Sequence, residues 1–411
     1  MDAAEVCDIL AKRTQKGRVS LSRWLVYAGM FALSYWIFYA LLLRSGSDLS
    51  IHATWAAEGD FLQPRTFFRH GAHPLWHMLV AAVMLAGVPL KIAAALVTAG
   101  LKVAEVWLFI RLLDFYLHEE LPEKAITGAA VVCTVVTSLW VPWINPTVYY
   151  GVGSPNLWHS PTQMIAMVAM LLCVPYTAAC YAEFERLVPE KKENAMISWR
   201  KIVTLGLGLL ISLSAKPTFM QAFLPAACLY FLAQWIRHPR NSRFFWQMIA
   251  AALPAVLLMI LQYMYYFGII VPSQGSMTLE ISAGKLGQVL LATLLIQAFP
   301  LYALVTCAKR ADFRNPFLAL CLLMDGVGIL EFLLLGESGR RAADGNFGWG
   351  MMGAALMLWI PAMVLFLRSF ALARKKGRKT LRYQGGFALL AWHIGSGVYY
   401  IFYLLTGTGN L

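Results

Sequence analysis

Phe245-Trp-Gln-Met-Ile-Ala-Ala-Ala-Leu-Pro-Ala-Val-Leu-Leu-Met-Ile-Leu-Gln-Tyr-Met-Tyr-Tyr-Phe-Gly-Ile269 contains no Asp, Glu, Lys or Arg. Wound as an α-helix, a stretch of this length would reach about 37 Å, more than the ~30 Å hydrocarbon core of a bilayer. Arg237, Arg240 and Arg243 precede it, and the far less basic stretch Ile270–Gly284 follows. An apolar run with its basic flank on one side is the pattern of a membrane-spanning helix held by the positive-inside rule.

The rest of the chain repeats the pattern. Of 411 residues, 59% are hydrophobic and only 13% are charged, about half the charged share of an ordinary soluble domain, which is about 25%. A soluble globular enzyme, a disordered chain and a disulfide-rich secreted module are all excluded. Backbone in lipid must satisfy its own hydrogen bonds, so helices or a closed barrel remain. The apolar runs are too long for barrel strands, so helices are expected. Net charge is +13; in such a protein it reflects cytoplasmic loops facing anionic lipid, and no nucleic-acid partner is expected. Cys7, Cys133, Cys173, Cys180, Cys228, Cys307 and Cys321 form no CxxC pair and read as packing residues. No cleavable signal is expected, because a polar and basic segment precedes a full-length apolar run.

Candidate spans lie at Trp24–Leu43, Leu75–Val88, Ile92–Tyr116, Ala125–Trp143, Thr162–Ala182, Ile202–Ser214, Phe219–Trp235, Phe245–Ile269, Leu286–Cys307, Phe317–Leu335, Trp349–Phe370 and Phe387–Leu405. The basic segment 1–23 places the N-terminus in the cytoplasm, in an integral membrane protein expected in a bacterial plasma membrane. Four further basic connections, Arg186–Lys201, Arg237–Arg243, Lys309–Arg314 and Arg374–Arg382, share that side. The loops 45–73, 145–161 and 337–347 then face outward, as does Lys216–Thr218. Three candidate spans lie between the first two outer loops, where parity demands an even number. Leu75–Val88 is the shortest and meets Pro89. It is expected to be a partial or re-entrant helix, leaving about 11 crossings, within a range of 10–13, in one helical membrane domain spanning 1–411.

The outer loops hold the chemistry. Glu58 and Asp60 stand among Trp55, Phe61, Phe67 and Phe68; either carboxylate could act as a base or hold a divalent cation that neutralises phosphate. His73 and His77 would share a helix face, as metal ligands do. Pro74 more naturally opens the helix and leaves His73 as its cap. With no HExxH and no Cys partner, hydrogen bonding at the helix start or to a substrate phosphate is expected, and no metal ligand is assigned. In the second loop Asn156, Trp158 and His159 offer a flat apolar face rimmed by donors, which suits a sugar ring; an interfacial aromatic belt is the plainer alternative. Lys216, between two apolar runs, either binds an anion such as phosphate or snorkels. The last outer loop carries Glu337, Arg340, Arg341 and Asn346. Glu337 and Arg340 are expected to pair, and the two arginines could clamp a phosphate. Asp325 and Glu331 sit inside an apolar run, where a carboxyl is a functional candidate.

The carboxylate-bearing first outer loop (Glu58, Asp60), followed by His73-Pro-Leu-Trp-His77, resembles the GT-C superfamily of multi-spanning glycosyltransferases. Ser154-Pro-Asn-Leu-Trp-His-Ser-Pro-Thr162, Ala215-Lys-Pro-Thr218 and Gly345-Asn-Phe-Gly-Trp349 look like stretches of bacterial membrane proteins assigned to that group. The resemblance implies a GT-C-like bundle with a helical first outer loop, in an enzyme of cell-envelope polysaccharide assembly. Its donor would be a polyprenyl-phosphate-linked sugar, carrying a hexose or pentose. Asp60 or Glu58 would be the base, and Arg or Lys would hold the lipid phosphate. Membrane lipids are the surrounding partner. A divalent cation, Mg2+ or Mn2+, is a possible cofactor of this chemistry. The chain lacks the adjacent Asp-Asp or Asp-Glu pair and the C-terminal soluble domain of several members. Two alternatives stay open: a transporter or flippase for a lipid-linked or polar substrate, and a noncatalytic membrane assembly factor.

Overall fold

The computed structural model describes residues 20–44, 46–59, 73–146, 153–191, 194–266, 276–339 and 345–407. Helix is the dominant solution, as a backbone in hydrocarbon requires: these residues form 13 α-helices. In chain order they are α1 (Leu21–Leu42), α2 (Asp48–Glu58), α3 (Leu75–Leu85), α4 (Leu90–Leu117), α5 (Glu123–Val135), α6 (Pro161–Lys191) and α7 (Trp199–Ala215). Then come α8 (Pro217–Arg237), α9 (Ser242–Tyr266), α10 (Ala283–Cys307), α11 (Pro316–Leu334), α12 (Asn346–Lys375) and α13 (Gln384–Thr406). Among the described residues nine helices are long and apolar enough to cross a membrane, and α3 is a shorter apolar one. The chain is thus an all-α polytopic membrane protein, with one addition the sequence did not announce. Met277–Leu279 (β1) and Leu335–Glu337 (β2) pair antiparallel as a small ribbon, Met277 opposite Glu337.

Contacts group the helices into two units. The first holds Ala169–Ile281 and Lys309–Leu358; the second holds Val19–Val168, Ser282–Ala308 and Trp359–Leu411.

In the second unit, charge fixes the direction of the helices. Arg23 at the start of α1 pairs with Asp114 near the end of α4 at 3.0 Å. The Ser22 hydroxyl donates to Glu123, the first residue of α5, at 3.1 Å. Arg368 on α12 pairs with Glu120 at 2.9 Å. Helices α1 and α4 therefore run antiparallel, and at Leu90 the chain is back at the end of the bundle it left at Leu42. Helix α3 lies between those two points. Its eleven residues span only about 16 Å, so it is a partial helix, as parity suggested for Leu75–Val88. Trp76 ties it to α4 by donating to the Thr98 hydroxyl at 3.2 Å.

The helix expected over Ala125–Trp143 is shorter than the apolar run. Helix α5 stops at Val135, and the chain continues non-helically through Trp143. The run Val131-Val-Cys-Thr-Val-Val-Thr137 is dense in β-branched residues, which restrict χ1 in a helix, and Pro142 pushes Val141 toward an extended backbone. A helix that ends inside a bundle must close its last carbonyls, and side chains do so here. Asn156 Nδ2 donates to the Cys133 and Val136 oxygens at 2.9 and 2.7 Å. Trp158 Nε1 donates to Thr134 O at 3.1 Å, and His393 Nδ1 donates to Thr137 O at 2.6 Å. The extended segment is closed in turn: Leu139 N–H donates to Leu295 O at 2.9 Å, Trp140 N–H to Ser396 Oγ at 2.8 Å, and Val141 N–H to Asn145 Oδ1 at 2.7 Å. Gly397 of α13 lies so close that a Cβ there would stand 1.9 Å from Val135 O.

Candidate functional site

Lys216, Glu337 and Asn346 belong to the first unit, and Glu58, His73, His77, Asn156, Trp158 and His159 to the second. Asp60, Arg340 and Arg341 lie outside the described residues, and so does the expected Glu337–Arg340 pair.

In the first unit a polar cluster forms where α7 and α11 end and α8 and α12 begin. Lys216 is the single residue between α7 and α8, extended at φ −169° and ψ 136°. Pro217 follows at the first helical position, where its missing N–H costs nothing. The Lys216 ammonium lies 4.4 Å from the centroid of the Trp349 ring, a cation–π distance. Gly350, the next residue of α12, makes the close approach possible: a Cβ there would stand 3.3 Å from both Thr218 O and Glu331 Oε2. The first turns of α8 and α12 are thus neighbours, and Glu331 reaches between them. The Glu331 Oε2 atom is buried and has no hydrogen-bond partner among the described residues. Asn346 Nδ2 donates to Glu337 Oε2 at 2.5 Å, tying the start of α12 to β2. Each helix start carries about half a positive charge and each helix end about half a negative one, so the four termini offset one another and Lys216 is the cation of the cluster, beside an indole face.

In the second unit the segment after α1 contributes α2, whose N-cap Ser47 accepts from Ser50 N–H at 3.1 Å. His52 on α2 and His77 on α3 are both buried, and their Nδ1 and Nε2 atoms are 2.9 Å apart. Asp48, one helical turn before His52, places Oδ1 3.4 Å from His52 Nε2. A carboxylate on one ring nitrogen favours a proton there and leaves the other to share a proton with His77. Trp55 and Trp76 enclose the pair with ring centroids 4.9 and 6.4 Å from that of His52. His73 is close, its ring centroid 6.3 Å from that of His52; Pro74, not His73, is the N-cap of α3. Glu58 is exposed at the last turn of α2. Among the described residues, no three His, Cys, Asp or Glu side chains group so as to hold a metal ion.

Of 145–161, the described residues 153–161 pack inward. Asn156 and Trp158 are fully buried, with their N–H groups on the carbonyls of α5. His159 Nδ1 lies 2.5 Å from the Tyr400 hydroxyl, also buried.

One pair in α4 escaped the sequence reading. Lys102 and Glu105 are fully buried near the middle of this 28-residue helix. They pair at 2.7 Å, with the ammonium 4.6 Å from the centroid of the Trp158 ring. The i, i+3 spacing of opposite charges in an apolar run was the available signal.

Comparison with family models and with curated proteins found no match for this chain.

Proposed function

We propose that this protein is a membrane glycosyltransferase of GT-C type that moves a sugar from a polyprenyl-phosphate carrier to an acceptor at the noncytoplasmic face. The observation that carries the reading is the Lys216 ammonium beside the Trp349 ring in the first unit. Lys216, a cation between two apolar helices, suits a lipid phosphate at a membrane boundary. The Trp349 face beside it suits the adjoining sugar.

The chemistry follows from charge. The acceptor hydroxyl oxygen forms a bond to the anomeric carbon, and its proton passes to a first-loop carboxylate, Asp60 or Glu58. The bond between that carbon and the phosphate oxygen breaks, and the phosphate keeps the electron pair. Lys216 stabilises the negative charge as it develops. A single displacement inverts the anomeric centre. The proposal includes eleven crossings, with α3 not counted and the extended segment after α5 completing a span, and a cytoplasmic N-terminus. The test is sugar transfer from extracted polyprenyl-phosphate donors, using membranes that carry the wild type, Asp60→Asn or Glu58→Gln. Transfer by the wild type that is lost in one of the variants supports the reading; transfer unaffected in both removes the base assignment.

The Lys102–Glu105 pair favours one other reading, a transporter with a charged site at mid-membrane. That reading predicts substrate accumulation in vesicles that is lost when either residue is changed, with no sugar transferred.

A further inference from the structure

We propose that Glu331 recognises the sugar at the Lys216 site, its carboxylate accepting from a sugar hydroxyl while Lys216 takes the adjoining phosphate. This role rests on the transfer reading and deepens it. Glu331 lies in the last turn of α11, at a junction where α8, α11 and α12 of the first unit approach closely. Glycines make the approach possible. A Cβ at Gly328, three residues earlier on α11, would stand 2.8 Å from Met351 Cα of α12. A Cβ at Gly350 of α12 would stand 3.3 Å from Glu331 Oε2, 3.3 Å from Thr218 O of α8 and 3.9 Å from Ala222 Cβ. Lys216 is two residues before Thr218, and Trp349 is next to Gly350. The carboxylate therefore stands at the same helix starts as the ammonium and the indole ring.

One oxygen of that carboxylate is unused. Glu331 Oε2 is buried and has no hydrogen-bond partner among the described residues. Neither Lys216 nor the Asn346 amide, which serves Glu337, satisfies it. A buried acceptor without a donor costs stability, and most buried polar groups do find partners. A ligand that brings a hydroxyl supplies the missing donor. The three groups together define its chemistry. The ammonium asks for an anion, the indole for an apolar ring face, and the unpaired carboxylate oxygen for an O–H donor. A bare phosphate meets only the first of these and is repelled by the carboxylate. A phosphate that carries a sugar meets all three. Glu331 thus distinguishes the loaded carrier from the spent one, which favours release of the carrier once the sugar has left.

The test measures binding of lipids of one chain length to the purified full chain: polyprenol, polyprenyl phosphate, and polyprenyl phosphate loaded with glucose or with arabinose, one hexose and one pentose. We expect at least one loaded lipid to bind at least about tenfold more tightly than polyprenyl phosphate. Glu331→Met should lose that gain, and Glu331→Gln, which keeps the shape but not the charge, should lose most of it. Both variants should keep the preference for polyprenyl phosphate over polyprenol. The unliganded Glu331→Met protein should melt no lower than the wild type, because a stranded acceptor has been removed. No gain for either sugar, a gain that survives both substitutions, or a lower melting temperature for Glu331→Met would overturn the role of Glu331 and leave the transfer reading standing. Polyprenyl phosphate bound no better than polyprenol by the wild type would overturn the transfer reading, and the role of Glu331 with it.

Discussion

His52 Nδ1 and His77 Nε2 stand 2.9 Å apart, joining α2 to the short helix α3 across a separation of 25 residues. Both rings are buried, so one nitrogen must donate and the other accept. Removing one ring strands the other: His52→Phe and His77→Phe should each cost about 1–3 kcal/mol. The double substitution should cost less than the sum of the two. Thermal unfolding in detergent measures this as a double-mutant cycle; additive losses would show that the contact is not energetically coupled.

Gly397 makes a sharper packing prediction. A methyl at this position would meet Val135 O at 1.9 Å, whereas a Cβ at Gly395 on the same helix meets nothing within 4 Å. Gly397→Ala should therefore destabilise by about 3 kcal/mol or abolish folded yield, because overpacking forces the backbone to move. Gly395→Ala should be neutral. Equal behaviour of the two variants in a melting experiment would contradict the close approach of α13 to the end of α5.

Asn156→Ala separates two roles. In the structure the amide nitrogen closes two carbonyls of α5, so its loss should cost about 2–4 kcal/mol, the penalty for stranding buried acceptors. A residue serving only to hold a sugar would leave the melting temperature unchanged.

Lys102→Ala leaves the Glu105 carboxylate buried without its partner, which should cost about 3–5 kcal/mol. Lys102→Met with Glu105→Leu removes both charges and should recover most of that loss. Chemical denaturation of the three proteins in one detergent decides it. A double variant as unstable as Lys102→Ala would show that shape, not charge, holds this part of α4.

Apolar length alone is enough to place most of these helices, because a run such as 245–269 has few alternatives in a bilayer. The partial helix α3 is legible for the same reason: Pro89 and a short run leave too little chain to cross. The break after α5 was carried by β-branching and Pro142, but overall apolarity masked it, since extended backbone at that depth needs partners such as Asn156 and Ser396 that are remote in sequence. Lys102 and Glu105 were hidden by their surroundings, two charges diluted in a long apolar window. The His52–His77 bond and the ribbon joining Met277 to Glu337 are tertiary pairings that no local pattern encodes. Of the candidate site, Lys216 and the start of α12 could be named from sequence; that Trp349 lies under the ammonium, with Glu331 beside Gly350, needed the fold.

The central claim is that Lys216 holds a lipid phosphate. Its most direct test compares binding of a polyprenyl phosphate and of the uncharged polyprenol to the purified protein, in the wild type and in Lys216→Met. We expect the phosphate to bind at least about tenfold more tightly in the wild type, as a charge-assisted contact allows. Most of that difference should vanish in Lys216→Met while polyprenol binding stays the same. Equal affinities for the two lipids, or a phosphate preference untouched by the substitution, would contradict the account.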